Sequence, residues 1–161
     1  MATNFLTTLE IQKDPDGGHV FHKQDGQRFS NTVTIKMNIS QTYKFTVTFR
    51  PAMRLESWMV RGEKMDFSRV KPKKEEDDVS IYEAQWTSIG IEINKRNTRK
   101  EMPIVLEFDN GVTMKTNIQV KFYPAEETEH SKWGQEMHAL ELSCAIPDGH
   151  IYVDIKKEKI Y

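Results

Sequence analysis

The sequence predicts an all-β fold, either an antiparallel β-sandwich or a partly closed β-barrel of about ten strands. Three observations carry this prediction. Apolar and polar residues alternate with period two over long stretches, as they do in strands with one buried and one wet face. Turn signals rich in Gly, Asn, Asp and Pro punctuate those stretches,. No amphipathic helical pattern longer than a turn or two interrupts them.

The first candidate strand covers residues 5–11. The stretch "HVFHKQDGQRF" at 19–29 follows, with a strand at 19–23 turned back by Asp25 and Gly26 and apolar anchors at Phe21 and Phe29,. Residues 31–39 set Val33, Ile35, Met37 and Ile39 against Thr32, Thr34, Lys36 and Asn38. Residues 41–50 place Tyr43, Phe45, Val47 and Phe49 on one face. Candidates at 56–61 and 79–86 follow, the former ending at Gly62. A strand at 104–108 enters the turn Asp109-Asn110-Gly111 and returns through 111–123, where Val112, Met114, Ile118, Val120 and Phe122 oppose Lys115, Asn117, Gln119 and Lys121. The last candidates are 137–144 and, after Pro147-Asp148-Gly149, 151–155. There is no internal repeat, and residues 1–161 read as a single β-rich binding domain,.

Three segments break the pattern. Residues 70–78 join a basic block to an acidic one, and residues 94–101 are polar and mostly basic; both read as solvated loops,. Residues 124–136 are acidic and carry Trp133, which is expected to fold back over an edge of the core. The chain balances 23 Lys and Arg against 24 Asp and Glu. That balance argues against a broad nucleic-acid or acidic-membrane surface. The start lacks a basic region followed by an apolar run, and no apolar stretch reaches transmembrane length,. Cytoplasmic residence without membrane insertion is the expectation, and the sequon Asn38-Ile39-Ser40 is then silent,.

The residues that carry chemistry elsewhere form no recognisable set here. His19, His22 and Asp25 lack partners for acid–base work, so the turn reading of that stretch prevails,. The five histidines (19, 22, 130, 138 and 150) show no zinc spacing, and Cys144 has no partner cysteine,. His138 shares a face with Leu140, Leu142 and Cys144 and reads as an interior histidine; Cys144 reads as a buried, inert thiol,. No phosphate loop, nucleophile elbow or kinase motif is present,. Trp58, Trp86 and Trp133 read as core before they read as ligand platforms,. The expectation is a protein without enzymatic activity, cofactor or metal.

Three segments, "VFHKQDGQRF", "TIKM…YKFTVTFRP" and "VKFYPAEETEHSKWG", resemble the cannabinoid receptor-interacting protein family. The similarity runs from about Ile11 to Cys144 and is most specific in Phe21, Lys23, Asp25 to Phe29, Val120 to Tyr123, His130, Trp133 and Gly134. The resemblance implies a β-rich cytosolic adaptor that binds the C-terminal tail of a cannabinoid-type receptor and modulates its signalling, at the inner face of the plasma membrane through that partner. It also implies a fold similar to the lipid-cargo domain of Rho GDP-dissociation inhibitors, so a carrier for an acyl or prenyl chain of a lipidated peptide is the alternative. An adaptor needs a surface patch, a carrier needs a continuous apolar cavity, and an enzyme would need a cleft with converging polar groups. The expected contact region comprises Arg28, Phe122, Tyr123, His130 and Trp133, with Arg28 as an anion partner and the aromatics lining a pocket beside a mobile loop,.

Overall fold

The computed structural model describes residues 2–74 and 78–161, so part of the charged stretch 70–78 lies outside the described residues. The described strands are β1 (Thr3–Lys13), β2 (Val20–Gln24), β3 (Val33–Asn38), β4 (Thr42–Arg50), β5 (Leu55–Val60), β6 (Glu63–Lys64), β7 (Phe67–Val70), β8 (Ser80–Thr87), β9 (Lys100–Phe108), β10 (Thr113–Tyr123), β11 (Gln135–Met137), β12 (Leu140–Ile146) and β13 (Asp154–Ile160). They form a six-stranded sheet, β13-β12-β1-β4-β8-β7, and a seven-stranded sheet, β11-β2-β3-β10-β9-β5-β6. The two sheets pack as a β-sandwich and do not close into a barrel. Neighbouring strands are antiparallel except β3 and β10, which run parallel with Lys36 level with Lys121.

The alternation sets the core. Tyr43, Phe45, Val47 and Phe49 of β4 are all buried, as are Val112, Met114, Ile118, Val120 and Phe122 on and beside β10. Aromatic rings join the two sheets: Phe49 meets Phe108 edge-on at 5.0 Å, and Trp86 lies 6.4 Å from Phe122. Each such side chain contributes about 1.5–3 kcal/mol by leaving water. Trp58 and Trp86 belong to this core as expected; Trp133 does not, for it is 56% exposed.

Four differences from the sequence reading have physical causes. Residues 137–144 are not one strand: β11 ends at Met137 in one sheet and β12 starts at Leu140 in the other. His138 therefore lies at the corner between sheets and is exposed, not interior. The arm returning from β2 is β3, with Asp25 N–H donating to the Thr32 carbonyl at 2.7 Å, so Gly26 opens a longer loop than a tight turn. The last strand falls later, at β13, whose lysines suit an unpaired sheet edge,. Finally, the supposedly wet face of β3 is covered: Thr34, Lys36 and Asn38 are buried along with Ile35 and Met37. Residues 124–134 cross that face and hydrogen-bond to Lys36 and Asn38.

Candidate functional site: a basic and aromatic sheet face

The cover over β3 is residues 124–134, and buried polar groups hold it in place. Asn38 donates its side-chain amide to the Pro124 and Glu127 carbonyls at 2.9 and 2.8 Å. Its own backbone is fixed by the Tyr43 hydroxyl, which accepts from Asn38 N–H at 2.7 Å, and by Ser88, which donates to the Asn38 carbonyl at 2.6 Å. Burial pushes the Tyr43 phenol up to about 12, so it stays neutral. A buried Asn38 also offers no acceptor for glycosylation. The Glu127 carboxylate accepts from the backbone N–H groups of Glu129, His130 and Ser131 at 2.6, 2.6 and 3.0 Å. Desolvation works to raise its pKa, but those donors prevail and hold it below the usual value.

Lys36 completes the clamp. Its ammonium donates to the His130 carbonyl at 2.9 Å and to the Trp133 carbonyl at 2.6 Å. Gly134 follows at φ +106°, where a Cβ would lie 2.4 Å from the His22 carbonyl oxygen. Only glycine fits that close approach. The result is an exposed indole on a pinned backbone, with the Trp133 and His130 rings 4.4 Å apart. The segment is thus anchored to β3 by direct contacts.

Cations surround this platform. Register places Lys36 between Phe21 and Lys121, and Thr34 beside Lys23. The Lys36 and Lys121 ammoniums lie 5.9 and 5.1 Å from the Tyr123 ring centre, within cation–π reach. Burial lowers the pKa of both lysines, and facing cations add to the effect: Lys23 and Lys121 for Lys36, Arg99 and Lys23 for Lys121. Burial raises the Tyr123 phenol.

The acids nearby are already engaged. Asp25 is paired bidentately with Arg99, whose Nε and Nη2 donate to its two oxygens at 3.1 Å each, and it also accepts from Thr34. Burial acts to raise the Asp25 carboxyl, yet the Arg99 and Thr34 hydrogen bonds outweigh it and the net shift is downward. Arg99 also lies over the Phe29 ring at 4.4 Å. Gln119 extends the network, donating to the Thr34 hydroxyl and the Asn31 carbonyl at 2.9 Å each. Of the lysines here, Lys23 shares Asp25 with Arg99, at 3.8 Å, and Lys36 is spent on the two carbonyls, which leaves Lys121 with no ion pair among the described residues.

Of the residues singled out from the sequence, His130 and Trp133 come together, and Tyr123 joins them through Lys36, which touches both sides. Phe122 does not: it points into the core against Trp86. Arg28 lies apart on the 25–32 loop, where it donates to the Asn97 side chain at 3.2 Å and packs over Phe29 at 5.3 Å. Lys36 and Lys121 are not among the contact residues expected from sequence, because the parallel β3–β10 pairing that sets them side by side leaves no local signal. His19, His22 and Asp25 do not converge, since His22 is buried, His19 is exposed and Asp25 is closed off by Arg99.

Two other recesses fit a bound chain poorly. The space between the sheets at Ile35, Ile118, Leu140 and Ile160 measures about 110 Å³, against ~300–1,000 Å³ for a typical ligand pocket. A carrier for a long acyl chain would require the sheets to part there. A wider groove of about 610 Å³ lies by β6 and β8, but Asp14, Lys44, Glu63, Lys64, Asp66 and Glu83 make it polar. No helix among the described residues is long and apolar enough to cross a membrane.

Comparison with known proteins agrees with the resemblance read from the sequence. Residues 1–160 match the family described as CB1 cannabinoid receptor-interacting protein 1. The proteins of that name from Bos taurus and Homo sapiens are each 28% identical over 152 residues, covering 94% of this chain and 92% of theirs. The Mus musculus protein is 27% identical over the same span. The chain belongs to the CB1 cannabinoid receptor-interacting protein 1 family.

Proposed function

We propose that this protein is a non-enzymatic cytosolic adaptor that binds the C-terminal tail of a cannabinoid-type receptor and modulates how that tail engages other proteins. The contact is the outer face of the seven-stranded sheet. Trp133 and His130 supply the aromatic anchor, Tyr123 the floor, and Lys121, with Lys23 nearby, the attraction for acidic or phosphorylated tail residues, while Lys36 holds the segment from beneath. The observation that carries this reading is the exposed Trp133 indole on a backbone pinned over Lys36. A rigid aromatic beside a lysine with no acidic partner among the described residues, Lys121, suits an interface centre, because little entropy is lost when it binds. Strand addition at a sheet edge is less favoured: β13 is rich in lysine, and β6, β7 and β11 are short,.

The test is titration of a synthetic receptor-tail peptide into the protein. Trp133→Ala should weaken binding by about 2 kcal/mol, roughly thirtyfold, without loss of fold. Lys121→Glu should weaken it and flatten its salt dependence. Unchanged affinity in both folded variants would refute the reading. A lipidated peptide that bound both variants normally would instead move the contact to the inter-sheet recess.

A further inference from the structure

At the edge of the seven-stranded sheet, β11 and the start of β2 bring three possible metal ligands together. Met137 pairs with Val20, so one residue on, His138 faces His19 across the strands. Glu136 precedes His138 by two positions and shares its side of β11. The imidazoles of His19 and His138 meet edge-on with centres 5.8 Å apart. One ligand atom from each of His19, Glu136 and His138 lies within 4.8 Å of the other two. All three side chains are exposed. Among the described residues, none of them spends those atoms on a hydrogen bond or ion pair.

We propose that His19, Glu136 and His138 form a binding site for a divalent transition metal of the zinc class. Two imidazole nitrogens and one carboxylate oxygen match the donor set of an open zinc site, in which water takes the fourth position. Hard cations such as calcium and magnesium prefer oxygen ligands throughout and are not served by it. Tetrahedral coordination at zinc–ligand distances of ~2.0–2.2 Å needs donors about 3.3 Å apart. Exposed side chains reach that spacing by rotamer adjustment, with no strand movement. Sequence spacing hides the site, since one ligand comes from a different strand more than a hundred residues away. The metal ties the short edge strand β11 to β2 at the corner where the chain changes sheets. Because β11 follows Gly134 directly, the same tie steadies the segment that carries Trp133.

The probe is Zn²⁺ alone, titrated calorimetrically into the full chain without an affinity tag. One saturable equivalent per chain is expected, with a rise in melting midpoint on zinc addition. His19→Ala and His138→Ala should each weaken binding at least tenfold, about the lower limit seen for losing even an outer-shell partner. Circular dichroism will establish that the variants are folded, which is expected for exposed positions. His150→Ala is the control; that ring packs on Tyr152 instead, and zinc binding should be unaffected. Absence of a saturable one-to-one event, or equal binding by the His19→Ala/His138→Ala double variant, overturns the proposal.

Discussion

Replacing Asp25 by Ala tests the ionic network beneath the basic face. The Asp25 side chain is fully enclosed and that of Arg99 is only 6% exposed, so removing the carboxylate leaves a guanidinium with little access to water. Deleting one partner of a buried ion pair costs about 3–5 kcal/mol. Arg99 keeps its contacts to the Thr34 hydroxyl at 3.0 Å and the Thr98 carbonyl at 2.8 Å, which places the expected loss near the lower end, ~3 kcal/mol. With a urea m-value of ~2 kcal/mol/M, the unfolding midpoint should fall by about 1.5 M. Arg99→Ala and the double variant complete a cycle, and the double loss should be smaller than the sum. The network also has a pH signature. The folded Asp25 carboxyl titrates below its ordinary 3.8, so its contribution is present above that value and disappears as pH falls through the depressed folded pKa. A single-variant loss below ~1 kcal/mol, or strict additivity, would refute the claim that this pair bears on stability.

Three further outcomes follow from particular residues. Gly134→Ala should destabilise the fold by at least ~1–3 kcal/mol through its positive φ and its approach to the His22 carbonyl,; an unchanged melting midpoint would contradict that geometry. Gly26→Val has open space around the new Cβ but the same φ problem, at +64°, so strain alone should cost roughly 1–3 kcal/mol in chemical denaturation. Cys144 is buried beside Thr7, and burial pushes its thiol above the usual value; an aromatic disulfide reagent should modify it only as the protein unfolds.

The strands were legible because their burial alternates: β4 could be read residue by residue from Tyr43 to Phe49. The site was legible only in part. Trp133 and His130 stand close in sequence, and so do their rings in space. The rest depends on long-range pairing. Lys36 looks like an ordinary wet-face lysine until residues 124–134 cover it, and Lys121 becomes its neighbour only through the parallel β3–β10 contact. Arg99 read as one more charge in a polar loop, although its partner Asp25 lies across the sheet. His138 was misread because a strand pattern continued, apparently unbroken, through the point where the chain switches sheets. Alternation reports which face a residue takes; it does not report what later crosses that face.

The most direct test of tail binding on the outer sheet face is a backbone and indole NMR titration of the isotope-labelled protein with a receptor-tail peptide. The account predicts that shifts concentrate at Lys23, Lys36, Lys121, Tyr123, His130 and the Trp133 indole N–H. Shifts confined to the groove around Glu63 and Glu83, or to the recess at Ile118 and Leu140, would contradict it.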